Sequence, residues 1–79
     1  MQEEFKDKRT KNGWVLNLVK VNDIHITSSL YDDSGSFVES KTFNLNYEND
    51  MEILRKYIAL FEENPEENKK TMLRLILRS

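Results

Sequence analysis

Residues 14–21 read Trp-Val-Leu-Asn-Leu-Val-Lys-Val, and residues 24–31 read Ile-His-Ile-Thr-Ser-Ser-Leu-Tyr. Both runs are short and rich in β-branched and aromatic types, which predicts strands. Asn22-Asp23 separates them. A two-residue loop there would pair Val21 with Ile24, Val19 with Ile26, Asn17 with Ser28 and Val15 with Leu30. All but one of these pairs are apolar, which supports a hairpin in that register. Asp32-Asp33-Ser34-Gly35-Ser36 marks a second turn, and residues 37–45 a third strand. A three-residue loop at 33–35 would set Leu30 opposite Val38 and Tyr31 near Phe37. The expected sheet is a three-stranded antiparallel meander. Ahead of it, residues 1–11 hold one large apolar side chain, Phe5, among alternating charges, and read as a flexible tail or edge element. Asn12-Gly13 is a turn signal, since both residues tolerate positive φ.

The period then changes. Ile53, Leu54, Tyr57, Ile58, Leu60 and Phe61 fall within about 160° of arc at ~100° per residue, with Glu52, Arg55, Lys56, Glu62 and Glu63 opposite. This predicts an amphipathic helix near 50–62, with Asn49 as N-cap and Glu52 completing a capping box. Asn64-Pro65-Glu66-Glu67 repeats the start signal: asparagine can cap, proline suits the first helical position, and glutamates complement the dipole. Residues 71–78 alternate in part, as a strand would, yet are nearly all strong helix formers. The balance favours a second helix over 65–77, with Arg74 and Arg78 near its negative end. The alternative is a fourth strand and a βββαβ order. The fold class is α+β in either case, as a single domain over 1–79.

Placing these strands in a sheet puts apolar residues on both faces. In the proposed register one face carries Val15, Val19, Val21, Ile24, Ile26, Leu30 and Val38. The other carries Trp14, Leu16, Leu18, Tyr31, Phe37 and Phe43, with His25, Thr27, Ser29, Glu39 and Lys41 between them. An antiparallel sheet with one wet side alternates apolar and polar. Either the helices cover both faces, or one face meets a partner. An exposed Trp14, Leu16, Tyr31 and Phe37 cluster would be an interaction surface, since aromatic residues dominate interface hot spots. Asp32 and Asp33 would rim it and favour a basic partner surface. The competing reading makes the rings a local core beneath the N-terminal segment. Along the second helix, Met72, Leu73, Leu75, Ile76 and Leu77 spread over about 200° of arc. One sheet cannot cover so wide a stripe. Met72, Leu75 and Ile76 are therefore candidate contacts to a second subunit.

Length and charge narrow the function classes. The chain has 79 residues and a formal charge of −2, room for one domain that is small enough to be marginal in stability. It has no cysteine, which excludes disulfides, thiolate metal sites and a cysteine nucleophile. Residues 1–20 carry five basic and three acidic groups, and residues 21–70 five basic and eleven acidic. That acidic middle argues against a phosphate-binding surface. No apolar run approaches a membrane span and no signal segment opens the chain, so the expected compartment is the cytoplasm.

No catalytic constellation is visible. His25 is the only histidine; Asp23 lies two residues away, Lys20 would be its cross-strand neighbour, and Ser29 would stand roughly 13 Å along the same face. A polar strand residue beside a turn accounts for it better than general-base chemistry. Asp32, Asp33 and Glu39 flank a glycine turn but lack calcium-loop spacing. Gly13 and Gly35 are the only glycines, so there is no phosphate-cradling loop and no cofactor motif. The expected function is non-catalytic: a protein-binding module that self-associates or regulates a protein partner. Fold-level analogy adds phage- and plasmid-encoded inhibitors and regulators, which include small α+β proteins of this layout. The runner-up is a nucleic-acid-binding accessory protein that stacks bases on the aromatic sheet face.

Overall fold

A computed structural model describes residues 6–77; Phe5 and Arg78 lie outside them. Four strands form one antiparallel sheet in sequence order: β1 (Lys6–Lys11), β2 (Trp14–Lys20), β3 (His25–Tyr31) and β4 (Phe37–Asn44). Two helices follow, α1 (Glu48–Glu63) and α2 (Pro65–Leu77). The architecture is α+β. The meander has one strand more than the apolar pattern predicts, because Lys6–Lys11 adds as an edge strand. Its sequence, KDKRTK, carries no hydrophobic signal. The Asn12-Gly13 turn creates it: φ is 52° at Asn12 and 85° at Gly13, the pair of positive values that a tight two-residue hairpin requires. Residues 71–77 are helical, so the sheet gains no strand from the C-terminal segment.

The β2–β3 register differs from the expected one by a single residue. Val15 stands opposite Tyr31, Leu16 opposite Leu30, Leu18 opposite Ser28 and Lys20 opposite Ile26. The Asn22 side chain causes the difference. Its Oδ1 accepts hydrogen bonds from the N–H groups of both Ile24 and His25, each at 2.9 Å. Val21 N–H donates to His25 O at 3.0 Å and closes the hairpin one residue later than a two-residue loop would. Every side chain of β3 therefore changes face relative to β2. A second irregularity follows at β4. Tyr31 pairs with Phe37 as expected, but Leu30 pairs with Glu39, so Val38 is the extra residue of a β-bulge. Beyond the bulge Phe43 stands opposite Ile26 and turns inward.

These two shifts gather the large side chains on one face. Trp14, Leu16, Leu18, Ile26, Leu30 and Phe43 line it, and Leu54, Tyr57 and Phe61 of α1 with Met72 and Ile76 of α2 cover them. Val38 packs against the same cluster. Ser28, also buried, donates its hydroxyl to Lys41 O at 3.4 Å. Arg9 on β1 bonds Asp7 at 3.1 Å and pairs with Glu62 near the end of α1, tying the edge strand to the helix layer.

The helix boundaries show where capping was and was not legible. Asn64 caps α2, accepting from Glu67 N–H at 3.1 Å, and Pro65 follows as the first helical residue. At α1 the N-cap is Tyr47, with no side-chain cap, and Asn49 lies inside the first turn. The reason is the carboxylate of Asp50, which accepts from Asn44 N–H at 2.9 Å and draws the helix start back toward the strand. The molecule is a two-layer slab, 36 × 27 × 17 Å across its Cα atoms.

Phe43 and Phe37 share a strand and test this sidedness. Phe43 is fully buried and Phe37 is 59% exposed. Phe43→Ala should cost about 3–5 kcal/mol, and Phe37→Ala no more than about 0.5 kcal/mol, measured by urea denaturation. Comparable losses for the two would contradict the assignment of faces.

Candidate interaction surface

Both helices lie on one side of the sheet, and among the described residues no element covers the other side. Strand pairing orders that open face into rows. The first runs Thr10, Val15, Tyr31, Phe37; the second Lys8, Asn17, Ser29, Ser40; the third Lys6, Val19, Thr27, Thr42. The Tyr31 and Phe37 rings meet edge to face, with centroids 5.9 Å apart and planes at 69°. Thr27 and Thr42 share a hydroxyl–hydroxyl bond of 2.8 Å. Among the described residues, the ionisable side chains in these three rows are Lys8 and Lys6 on β1 and Tyr31, and none is a carboxylate.

The turn beyond the first row is held rigidly. Asp32 Oδ1 accepts from Ser34 N–H at 2.9 Å, Ser34 Oγ at 2.6 Å and Ser36 N–H at 3.0 Å. The Ser34 hydroxyl, with the Ser36 N–H behind it, holds this carboxyl below the usual range. Asp32 is thus occupied in shaping its own turn. The neighbouring Asp33 is exposed, and a side chain at Gly13 would meet its Cβ at 3.2 Å.

The four residues expected to form one patch are divided between faces. Trp14 and Leu16 are 5% and 0% exposed and belong to the core, because the three-residue hairpin loop turns them toward α1 and α2. They offer no surface to a partner. Tyr31 and Phe37 remain on the open face, bordered by Asp32 and Asp33. A similar correction applies to α2. Met72 and Ile76 are 0% and 4% exposed within the chain and fill its core, so they are not available to a second subunit. Leu75 is half-buried and lines a shallow groove of about 310 Å3 with Lys56, Ala59, Leu60 and Thr71. Sequence reasoning missed Val15 as the neighbour of Tyr31, and Thr10 beyond it and Lys8 in the next row as members of the same face. Their positions depend on the length of the β2–β3 loop, which only the Asn22 side chain discloses.

His25 sits beside the β2–β3 turn. Its Nδ1 lies 3.1 Å from Asn22 Oδ1, the oxygen that also organises the loop. No group of three or more metal-ligating side chains occurs among the described residues. No described helix is long and apolar enough to cross a membrane. Two buried polar atoms have no partner among the described residues, Trp14 Nε1 and Tyr57 Oη. Burial first, and the negative charge of Glu39 second, push the Tyr57 phenol up to about 12.

No protein-family model matches the chain, and neither does any curated protein or solved structure.

The Tyr57 phenol predicts a specific alkaline response. Below pH ~10 folded and unfolded chains both keep this proton. Between about 10 and 12 the unfolded chain ionises and the folded one does not, so stability falls by up to about 2–3 kcal/mol. Tyr57→Phe should abolish this component, and at neutral pH it should be neutral or stabilising by about 1 kcal/mol, since it removes an unpartnered buried hydroxyl. Urea midpoints of both proteins at pH 7 and pH 11 would show it. An equal alkaline loss in the two would contradict the burial of this hydroxyl.

Proposed function

We propose that this is a small non-catalytic protein-binding module that works through its open sheet face. One observation carries the reading: α1 and α2 cover a single face, and the other, which no described element covers, holds the Tyr31–Phe37 pair, with Phe37 59% exposed. Phe37, with more than half of its surface in water, and the partly buried Tyr31 stand out against the serine, threonine and asparagine around them. They sit on rigid strands, so little entropy is lost when a partner orders them. The compartment that fits this composition is the cytoplasm. A regulator or inhibitor that acts by occupying another protein's surface would need no more machinery than this.

A nucleic-acid-binding accessory role is the second reading. The presence of Lys6 and Lys8 on the same face as an aromatic pair favours it. The exposed Asp33 at the end of the aromatic row opposes it, since a carboxylate there repels phosphate.

Tagged wild-type chain and its Phe37→Asp variant should be compared in affinity capture from the source cell. The variant should keep its fold by circular dichroism and lose at least tenfold of the captured protein, about 1.4 kcal/mol. Equal capture by the two would remove this face from the function. Retention on single-stranded nucleic acid that weakens steeply with salt would favour the second reading.

A further inference from the structure

We propose that β1 is a hinged cover latched by Arg9: it swings away from β2 about the Asn12-Gly13 turn while the rest of the fold stays intact, and its release bares the edge of β2. The device is independent of the open face as a binding surface.

The two edges of the sheet are anchored differently. β4 sends the fully buried Phe43 into the core, and Val38 packs against the same cluster. None of the six residues of β1 is buried, and none belongs to that core. The core-facing side chains of β1 are Asp7, Arg9 and Lys11, which stand beside Leu18, Leu16 and Trp14 of β2. Three charged groups thus flank three core side chains, so β1 is not attached through apolar burial of its own.

β1 is held by its hairpin ladder and by a tie to the helix layer through Arg9. That guanidinium lies 3.1 Å from Asp7 and pairs with Glu62 near the end of α1. The Arg9 and Glu62 side chains are 39% and 52% exposed. An ion pair this wet contributes little and is screened by salt. Segments with few buried apolar contacts open at free energies well below that of global unfolding.

The ladder fixes what release bares. Lys11 and Trp14 flank the two-residue turn and form its closing hydrogen-bonded pair, so Arg9 with Leu16 and Asp7 with Leu18 are bonded pairs as well. On the other side of β2, Val21 N–H donates to His25 O at 3.0 Å. Bonded pairs recur every second residue, so Val19 and Asn17 bond to β3. The N–H and C=O groups of Leu16 and Leu18 therefore point at β1, and those of Asn17 and Val19 at β3.

Opening of β1 alone frees the first set and leaves the second paired. It also uncovers the flank of Trp14, Leu16 and Leu18. A row of backbone donors and acceptors beside large apolar side chains is the kind of edge to which an extended segment adds as a new strand. Closed, β1 fills that place with charge and keeps it from other strands.

Residue-resolved amide hydrogen exchange on the full chain tests the proposal. Relative to intrinsic rates, Leu16 and Leu18 should exchange at least about tenfold faster than Asn17 and Val19, and Asp7 and Arg9 should exchange with the fast pair. Phe43, on the opposite edge strand, should exchange with the slow pair. Raising salt from about 20 to about 500 mM should speed the fast set about two- to fivefold and leave the slow set unchanged. Glu62→Gln should do the same at low salt. Lys8 and Asn17 form a directly opposed, non-bonded pair at a Cα spacing of ~4.5 Å, which suits a disulfide. The chain has no cysteine of its own. In the double variant Lys8→Cys, Asn17→Cys, the oxidised form should slow Leu16 and Leu18 to the rate of Val19, and reduction should restore their exchange. One common rate along β2 would overturn the cover, as would fast exchange of Leu16 and Leu18 that persists under the disulfide. Indifference to both salt and Glu62→Gln would overturn the latch.

Discussion

The side-chain amide of Asn22 decides which face of this sheet becomes the core. Its single oxygen accepts from two successive backbone N–H groups and lengthens the β2–β3 loop by one residue. Side chains alternate across a strand with a period of two, so one residue of slip exchanges the whole of one face for the other. Because of it, Trp14, Leu16 and Leu18 stand with Ile26 and Leu30, and the valines Val15 and Val19 stand with Thr27 and Ser29. One face then has enough large apolar surface to hold two helices. The other becomes a β-branched, hydroxyl-rich surface with a single aromatic corner.

The bulge at Val38 completes the same separation. Without it, pairing Tyr31 with Phe37 would fix the parity of the whole of β4, and Phe43 would point away from the helices. The extra residue lets Phe37 face outward and Phe43 inward on one strand. It also turns β4 into a poor template for further pairing. Core formation and edge protection are in this way met by one backbone irregularity. Two polar atoms bear the cost of so full a core: Trp14 Nε1 and Tyr57 Oη are buried without a partner among the described residues. Such groups are destabilising by themselves, and the packing of the rings that carry them offsets the loss.

Charge is segregated in parallel with shape. Each helix opens with carboxylates, Glu48 and Asp50 in α1 and Glu66 and Glu67 in α2, where they complement the dipole. Arg9, turned to the helix side of β1, finds Asp7 and Glu62 there. The open face keeps Lys6 and Lys8 at one edge and neutral hydrogen-bonding groups elsewhere. A surface of this kind is easily wetted, yet it can be dried by a complementary one without stranding a charge at its centre.

Local chemistry alone determined a good deal. The Asn12-Gly13 and Asp32–Ser36 turns, the amphipathic stripe of α1 and the Asn64-Pro65 start of α2 were all legible, because each depends on residues within a few positions of one another. Helix 65–77 was legible from propensity, and so was the α+β class. The candidate surface was legible in half: Tyr31, Phe37 and the turn at Asp32-Asp33 were in view, while Trp14 and Leu16 were assigned to the wrong side. The first strand was legible only as one of two alternatives, a tail or an edge element, because its charges carry no apolar period and it forms by pairing with β2. Only the tertiary structure decided which face the helices cover. That choice depends on loop length and on a bulge, each a matter of one residue, and on which combined face buries most apolar area. Periodicity within a strand reports that two faces exist; it cannot report how the faces of separate strands are joined.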